Sequence, residues 1–113
     1  MKDKIEVGEY IRTKNGIIAK VINTKYYIEL YIECEGGELI KKGNIKKHSF
    51  NIIDLLEVED IVKMKDNDIG YLEIIYINDE KMLEAVREDS EDNNIKIVSI
   101  ITKEQFESME YEV

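Results

Sequence analysis

Apolar and polar residues alternate without a break over residues 26–33. Tyr26, Ile28, Leu30 and Ile32 fall on one side, and Tyr27, Glu29, Tyr31 and Glu33 on the other. A period of two sends successive side chains to opposite faces, so this segment predicts a half-buried strand. Upstream, Val7, Tyr10, Ile11, Ile17 and Ile18 flank Asn15-Gly16. That dipeptide accepts positive φ, and the stretch predicts strand, tight turn, strand. Gly36-Gly37 turns the chain again, and Leu39-Ile40 and Ile45 start short strands on either side of Lys42-Gly43-Asn44. Residues 49–56 form a short apolar knot in which Ser49 is placed to cap one helical turn.

The second half opens with an echo of the first. Residues 56–65 (LEVEDIVKMK) match residues 5–14 (IEVGEYIRTK), with apolar residues at offsets 0, 2, 5 and 6, acidic residues at 1 and 4, and basic residues at 7 and 9. Asp66-Asn67-Asp68 stands where Asn15-Gly16 stands, and residues 70–77 return as a strand. The echo predicts that both segments build the same strand–turn–strand unit. Asn78 or Asp79 is placed to cap a helix over residues 80–87, with Met82, Leu83 and Val86 on one face. Residues 88–94 read as a polar loop, and residues 95–101 as a strand buried on both faces. Thr102 and Gln105 make a capping-box pattern, so a helix is expected from Lys103, with Phe106 and Met109 as its inward pair.

The 113 residues fit one domain, with a first β unit at about 5–48 and a second β unit plus helices at about 56–113. The expected fold class is α+β, mainly β. It is a small curled sheet or barrel of five to seven strands, with two short helices in the C-terminal half. One cysteine rules out a disulfide framework, and one histidine rules out His-rich metal chemistry. Cys34 is expected as a small apolar filler. The N-terminus is charged and lacks a signal-peptide core, and no apolar run approaches the ~18 residues of a membrane helix. These features predict a soluble, cytoplasmic protein.

Charge is unevenly placed. Residues 1–50 carry ten Lys/Arg and seven Asp/Glu, while residues 51–113 carry six and eighteen, giving the formal net charge of −9. The acidic half repels nucleic-acid phosphate and attracts cationic grooves. Its candidate partner-binding residues are Glu88, Asp89, Glu91, Asp92, Glu104, Glu107 and Glu110. The positive part concentrates in Lys41, Lys42, Lys46 and Lys47, and Tyr26, Tyr27 and Tyr31 offer stacking faces. Together they form an alternative ligand-binding set for a phosphate-bearing molecule. The net charge argues against general nucleic-acid binding, which needs an attractive field.

Catalytic patterns are weak. His48, Ser49 and Asp54 are close in sequence, but neighbours in a strand point to opposite faces. Asp66-Asn67-Asp68 lacks the remaining ligand spacing of a calcium loop. No nucleophile elbow or phosphate-binding glycine fingerprint is present. No catalytic residue, metal site or cofactor is assigned.

The segment from Val7-Gly8-Glu9 to Ala19-Lys20-Val21 resembles the first hairpin of SH3-like small barrels, which implies the curled sheet. Together with residues 47–58 and 99–111, it is also similar to small uncharacterised proteins of Clostridium-like phages and prophages. In those, Pro usually stands at the position of Phe50 and Gly at that of Glu59. The departures here imply a tighter or more irregular second hairpin. The phage resemblance implies a setting in a bacterial host. There, a small acidic protein acts by docking on a host protein with a basic nucleic-acid groove, such as a nuclease or CRISPR effector. The alternatives are a sponge that sequesters a signalling nucleotide and an SH3-like protein-interaction adaptor.

Overall fold

The structure is a computed structural model and describes residues 4–25, 30–91 and 94–108. The chain divides into two compact units, Met1–Leu55 and Leu56–Val113. The first contains β1 (Tyr10–Thr13), β2 (Ile18–Asn23), β3 (Tyr31–Cys34), β4 (Glu38–Lys41) and β5 (Ile45–Ser49). Single 3-10 turns follow β4, at Lys42–Asn44, and β5, at Ile52–Leu55. The second unit contains β6 (Ile61–Asp66), β7 (Tyr71–Tyr76), α1 (Glu80–Ser90), β8 (Ile95–Ile101) and α2 (Lys103–Ser108). The class is mainly β, with curled sheets that do not close into a barrel and two short helices in the C-terminal half. Among the described residues, eight strands are shared between two sheets.

The first unit is a meander in the order β4-β3-β2-β1-β5, all antiparallel. Its core consists of Ile11, Val21, Ile32, Cys34 and Ile40, with Ile5, Ala19 and Ile45 packed at the margin. The β1–β2 turn is held by its own polar groups. The Thr13 hydroxyl accepts from the Ile17 N–H at 2.9 Å and bonds to the Asn15 carboxamide, while Gly16 takes φ 88°. The other side of β1 carries Arg12, which is 0 % exposed. Its guanidinium Nη1 donates to the Leu55 carbonyl at 2.9 Å, tying the second 3-10 turn onto β1. Of the strand expected over 26–33, Tyr31, Ile32 and Glu33 lie in β3. Ile32 is buried as expected, but Leu30 is exposed in a turn, where its carbonyl accepts from Lys42 N–H. Tyr26, Tyr27, Ile28 and Glu29 lie outside the described residues.

The second unit has the order β7-β6-β8, again antiparallel. Val62 and Met64 are buried on one face of β6, and α1 packs against β8 with Leu83 and Val86 buried. Asp79 caps α1 by accepting from Met82 N–H at 2.8 Å. That helix runs on to Ser90, so Glu88 and Asp89 are helical and not in a loop. Strand β8 is not buried on both faces, since Val98 and Ile101 are exposed. One helix covers only one side of a three-stranded sheet. The Thr102–Gln105 capping box forms: Thr102 Oγ1 accepts from Gln105 N–H at 3.3 Å, and Thr102 N–H donates to Gln105 Oε1 at 3.1 Å. Phe106 is exposed and is not an inward residue. Its expected partner Met109 lies outside the described residues.

The sequence echo is a structural repeat. Gly8 and Glu59 both take positive φ, 94° and 81°. Gly8 N–H donates to Val21 O at 2.9 Å, and Glu59 N–H to Ile77 O at 2.6 Å. Val21 and Ile77 return the bond to the carbonyls of Glu9 and Asp60 at 2.8 and 2.9 Å. Glu9 and Asp60 are both buried, and each carboxylate accepts the N–H three residues earlier, from Glu6 at 2.9 Å and Glu57 at 2.8 Å. Even the irregularity repeats. Pairing with the third strand slips between Arg12 and Thr13 in one unit and between Lys63 and Met64 in the other, at the same offsets. In chain order, α1 of the second unit stands where β3 and β4 stand in the first.

Candidate functional site

The first unit contains a groove of about 560 Å³ lined by Lys4, Ile5, Thr24, Lys25, Lys42, Ile45, Lys46 and His48. Three parts of the chain meet there: the segment leading into β1, the end of β2, and the stretch from the 3-10 turn Lys42–Asn44 into β5. A bulge in β5 explains the selection. Thr13 opposes Ile45 and Arg12 opposes Lys47, so Lys46 is the extra residue; Ile45 and His48 lie on the face of Thr13 and Ile11, while Lys47 stands beside Arg12 on the other. The two isoleucines form an apolar floor continuous with the core, since both pack against it.

His48 is fixed by a buried partner. Its Nδ1 lies 2.9 Å from Glu9 Oε2, the same carboxylate that accepts from Glu6 N–H. Glu9 therefore joins the repeated corner to the wall of the groove. Ser49, the next residue, bonds instead to Asp54, its hydroxyl donating to Oδ2 at 2.6 Å. His48 and Ser49 thus have separate carboxylate partners on separate faces.

Two of the sequence-predicted cations, Lys42 and Lys46, line the groove. Lys41 is exposed on β4 opposite Tyr31 of β3, a cation and a ring side by side at the sheet margin. Tyr26 and Tyr27 lie outside the described residues. Sequence reading missed Lys4, Thr24, Lys25 and His48 as members of this set. They come from segments distant along the chain, and no local spacing joins them.

The predicted acidic surface falls into two groups. Glu88, Asp89 and Glu91 are exposed at the C-terminal end of α1, which leads into the start of β8. Glu104 and Glu107 sit on α2, beyond the other end of β8. Seven residues of strand lie between them, roughly 23 Å. Asp92 and Glu110 lie outside the described residues. Asp89 also borders a small cleft of about 80 Å³ with Asp66 and Glu73.

Cys34 is buried in the first core. Burial pushes its thiol pKa up, and Glu38 and Glu33 push in the same direction. A neutral thiol packed among isoleucines is a poor nucleophile. Among the described residues, no cluster of three or more His, Cys, Asp or Glu is placed to hold a metal ion, and no helix is long and apolar enough to cross a membrane. The chain matches no protein-family model, no curated protein and no solved structure.

Proposed function

We propose that this protein works by non-covalent binding, and that the groove of its first unit takes a phosphorylated small molecule of nucleotide size. One observation carries this reading. Lys4, Lys25, Lys42 and Lys46 converge on one cavity of about 560 Å³ in a chain whose net charge is −9. Four lysines lining one concavity give it a local positive field that attracts an anion. The volume falls within the range of small-molecule sites, and Ile5 and Ile45 offer an apolar surface for the body of such a ligand. In the phage setting implied by the resemblance, this activity is sequestration of a signalling nucleotide. Mass spectrometry of small molecules released by heating protein purified from its host is expected to identify a phosphorylated compound. That compound should be lost from Lys42→Glu/Lys46→Glu protein. Release of nothing, together with no saturable binding of nucleotides by the emptied protein, would contradict the reading.

A second reading has its own observation. Glu88, Asp89 and Glu91 gather at the C-terminus of α1, where the helix dipole disfavours negative charge. Carboxylates kept at an unfavourable place suit docking on a cationic nucleic-acid groove of a host nuclease or CRISPR effector. Here Glu88→Lys/Glu91→Lys should abolish inhibition of the nuclease, and inhibition that persists after this reversal sinks the idea.

A further inference from the structure

The repeated hairpins differ at their second strands. Strand β2 is interior, with β1 on one side and β3 on the other. Among the described residues, its counterpart β7 pairs only with β6 and forms an edge. The equivalence is residue by residue: Lys20 and Ala19 of β2 oppose Tyr10 and Ile11, as Tyr76 and Ile75 of β7 oppose Ile61 and Val62.

Edge strands are normally protected by lysine, proline, a bulge or a cover. Strand β7, with sequence YLEIIY, contains no lysine or proline. Its pairing with β6 runs through all six residues without a shift. Leu72, Ile74 and Tyr76 share one face and are 50 %, 70 % and 54 % exposed. The other edge, β8, has α1 packed on it and a register shift against β6.

We propose that β7 pairs with β7 of a second copy, antiparallel about a two-fold axis normal to the sheet. Such an axis keeps each face on its own side, so only residues of equal parity oppose one another. Centring on Ile74 pairs residues 72–76, sets Ile74 against its own copy and Leu72 against Tyr76, and places Glu73 opposite Ile75. Centring on Glu73 pairs as many residues but sets two carboxylates face to face, which disfavours that register. The strand is therefore self-complementary in one register, with main-chain bonds along the edge and a continuous apolar row above it.

The test uses the full chain. Sedimentation equilibrium is expected to give a dimer at about 100 µM, with Ile74→Lys weakening it at least tenfold by placing two ammonium groups at the axis. Ile74 is exposed, so the variant should keep its fold, checked by circular dichroism. As a second arm, Ile74→Cys should cross-link to its own copy on mild oxidation, while Ile69→Cys at the hairpin tip should not. A monomer at this concentration, a dimer unaffected by Ile74→Lys, or equal cross-linking at both positions would overturn the proposal. So would a monomer that holds a different protein through β7.

Discussion

Residues 5–14 and 56–65 build the same corner, and the difference between them lies in one backbone position. Gly8 takes φ 94° without cost because it has no Cβ, whereas Glu59 holds φ 81° with one. The rest of the corner compensates. Asp60 is buried and accepts two backbone N–H bonds, from Glu57 at 2.8 Å and Lys103 at 2.9 Å. A salt bridge from Lys103 Nζ to Glu57 Oε1 at 3.2 Å closes the same loop. In the first unit, Glu9 accepts one backbone N–H and holds His48, a residue of the groove wall. One frame thus has two uses: the second unit spends its buried carboxylate on backbone structure, and the first turns part of it towards a candidate binding site.

The largest expected effect is loss of the second corner. Asp60→Ala strands two N–H groups in a buried site and should destabilise the protein by about 3 kcal/mol in urea unfolding. Glu9→Ala should cost less, about 2 kcal/mol, because among the described residues it orphans one backbone donor against two. A larger loss at Glu9 would reverse the assignment of roles.

Next come the residues at offset 7. Arg12 is fully buried against the 3-10 turn, while Lys63, its counterpart, is half-buried. Arg12→Met should cost about 2 kcal/mol by removing the charged donor to Leu55 O, whereas Lys63→Met should change stability by under about 0.5 kcal/mol. Equal effects would mean that the two units bury this face alike.

Glycine exchange sharpens the comparison further. Glu59→Gly should stabilise by about 1 kcal/mol, since it relieves a left-handed residue. Gly8→Ala should destabilise by about 1 kcal/mol, with the strain lying in φ: the added Cβ would meet Phe50 only at an ordinary 3.5 Å. Thermal melts of both variants check the pair, and a Glu59→Gly protein that melts lower would contradict the shared corner.

The smallest effect concerns Cys34. Its folded pKa is raised above the ordinary 9.0. Below that value both folded and unfolded thiols are protonated, and Cys34 contributes no pH dependence. Above it the unfolded chain loses the proton first, so the stability contribution falls as pH rises. Alkylation at pH 8 should accordingly be far slower than for a free thiol, rising to the free rate only in denaturant.

Much of this frame was legible in the sequence. The turn at Asn15-Gly16, the Asp79 cap, the Thr102–Gln105 box and the echo itself are local patterns, fixed by residues within a few positions of one another. What was not legible depends on pairs distant in sequence. Leu30 fits the alternating pattern but lies exposed in a turn just before β3, its carbonyl bonded to Lys42 N–H. Apolar β8 reads as buried on both faces, yet the number of covering elements decides burial, and one helix covers one face. The groove is the clearest case. Lys42 and Lys46 stand out as a basic run, whereas Lys4 and Lys25 join them only through the fold of the meander.

The groove is tested most directly by nuclear magnetic resonance titration of the isotopically labelled protein with nucleotides at low and high salt. Amide shifts should concentrate at Lys4, Ile5, Thr24, Lys25, Lys42, Ile45, Lys46 and His48, saturate, and weaken as salt rises. Shifts confined to other residues, or none at millimolar nucleotide, would contradict the assignment of this cavity as the binding site.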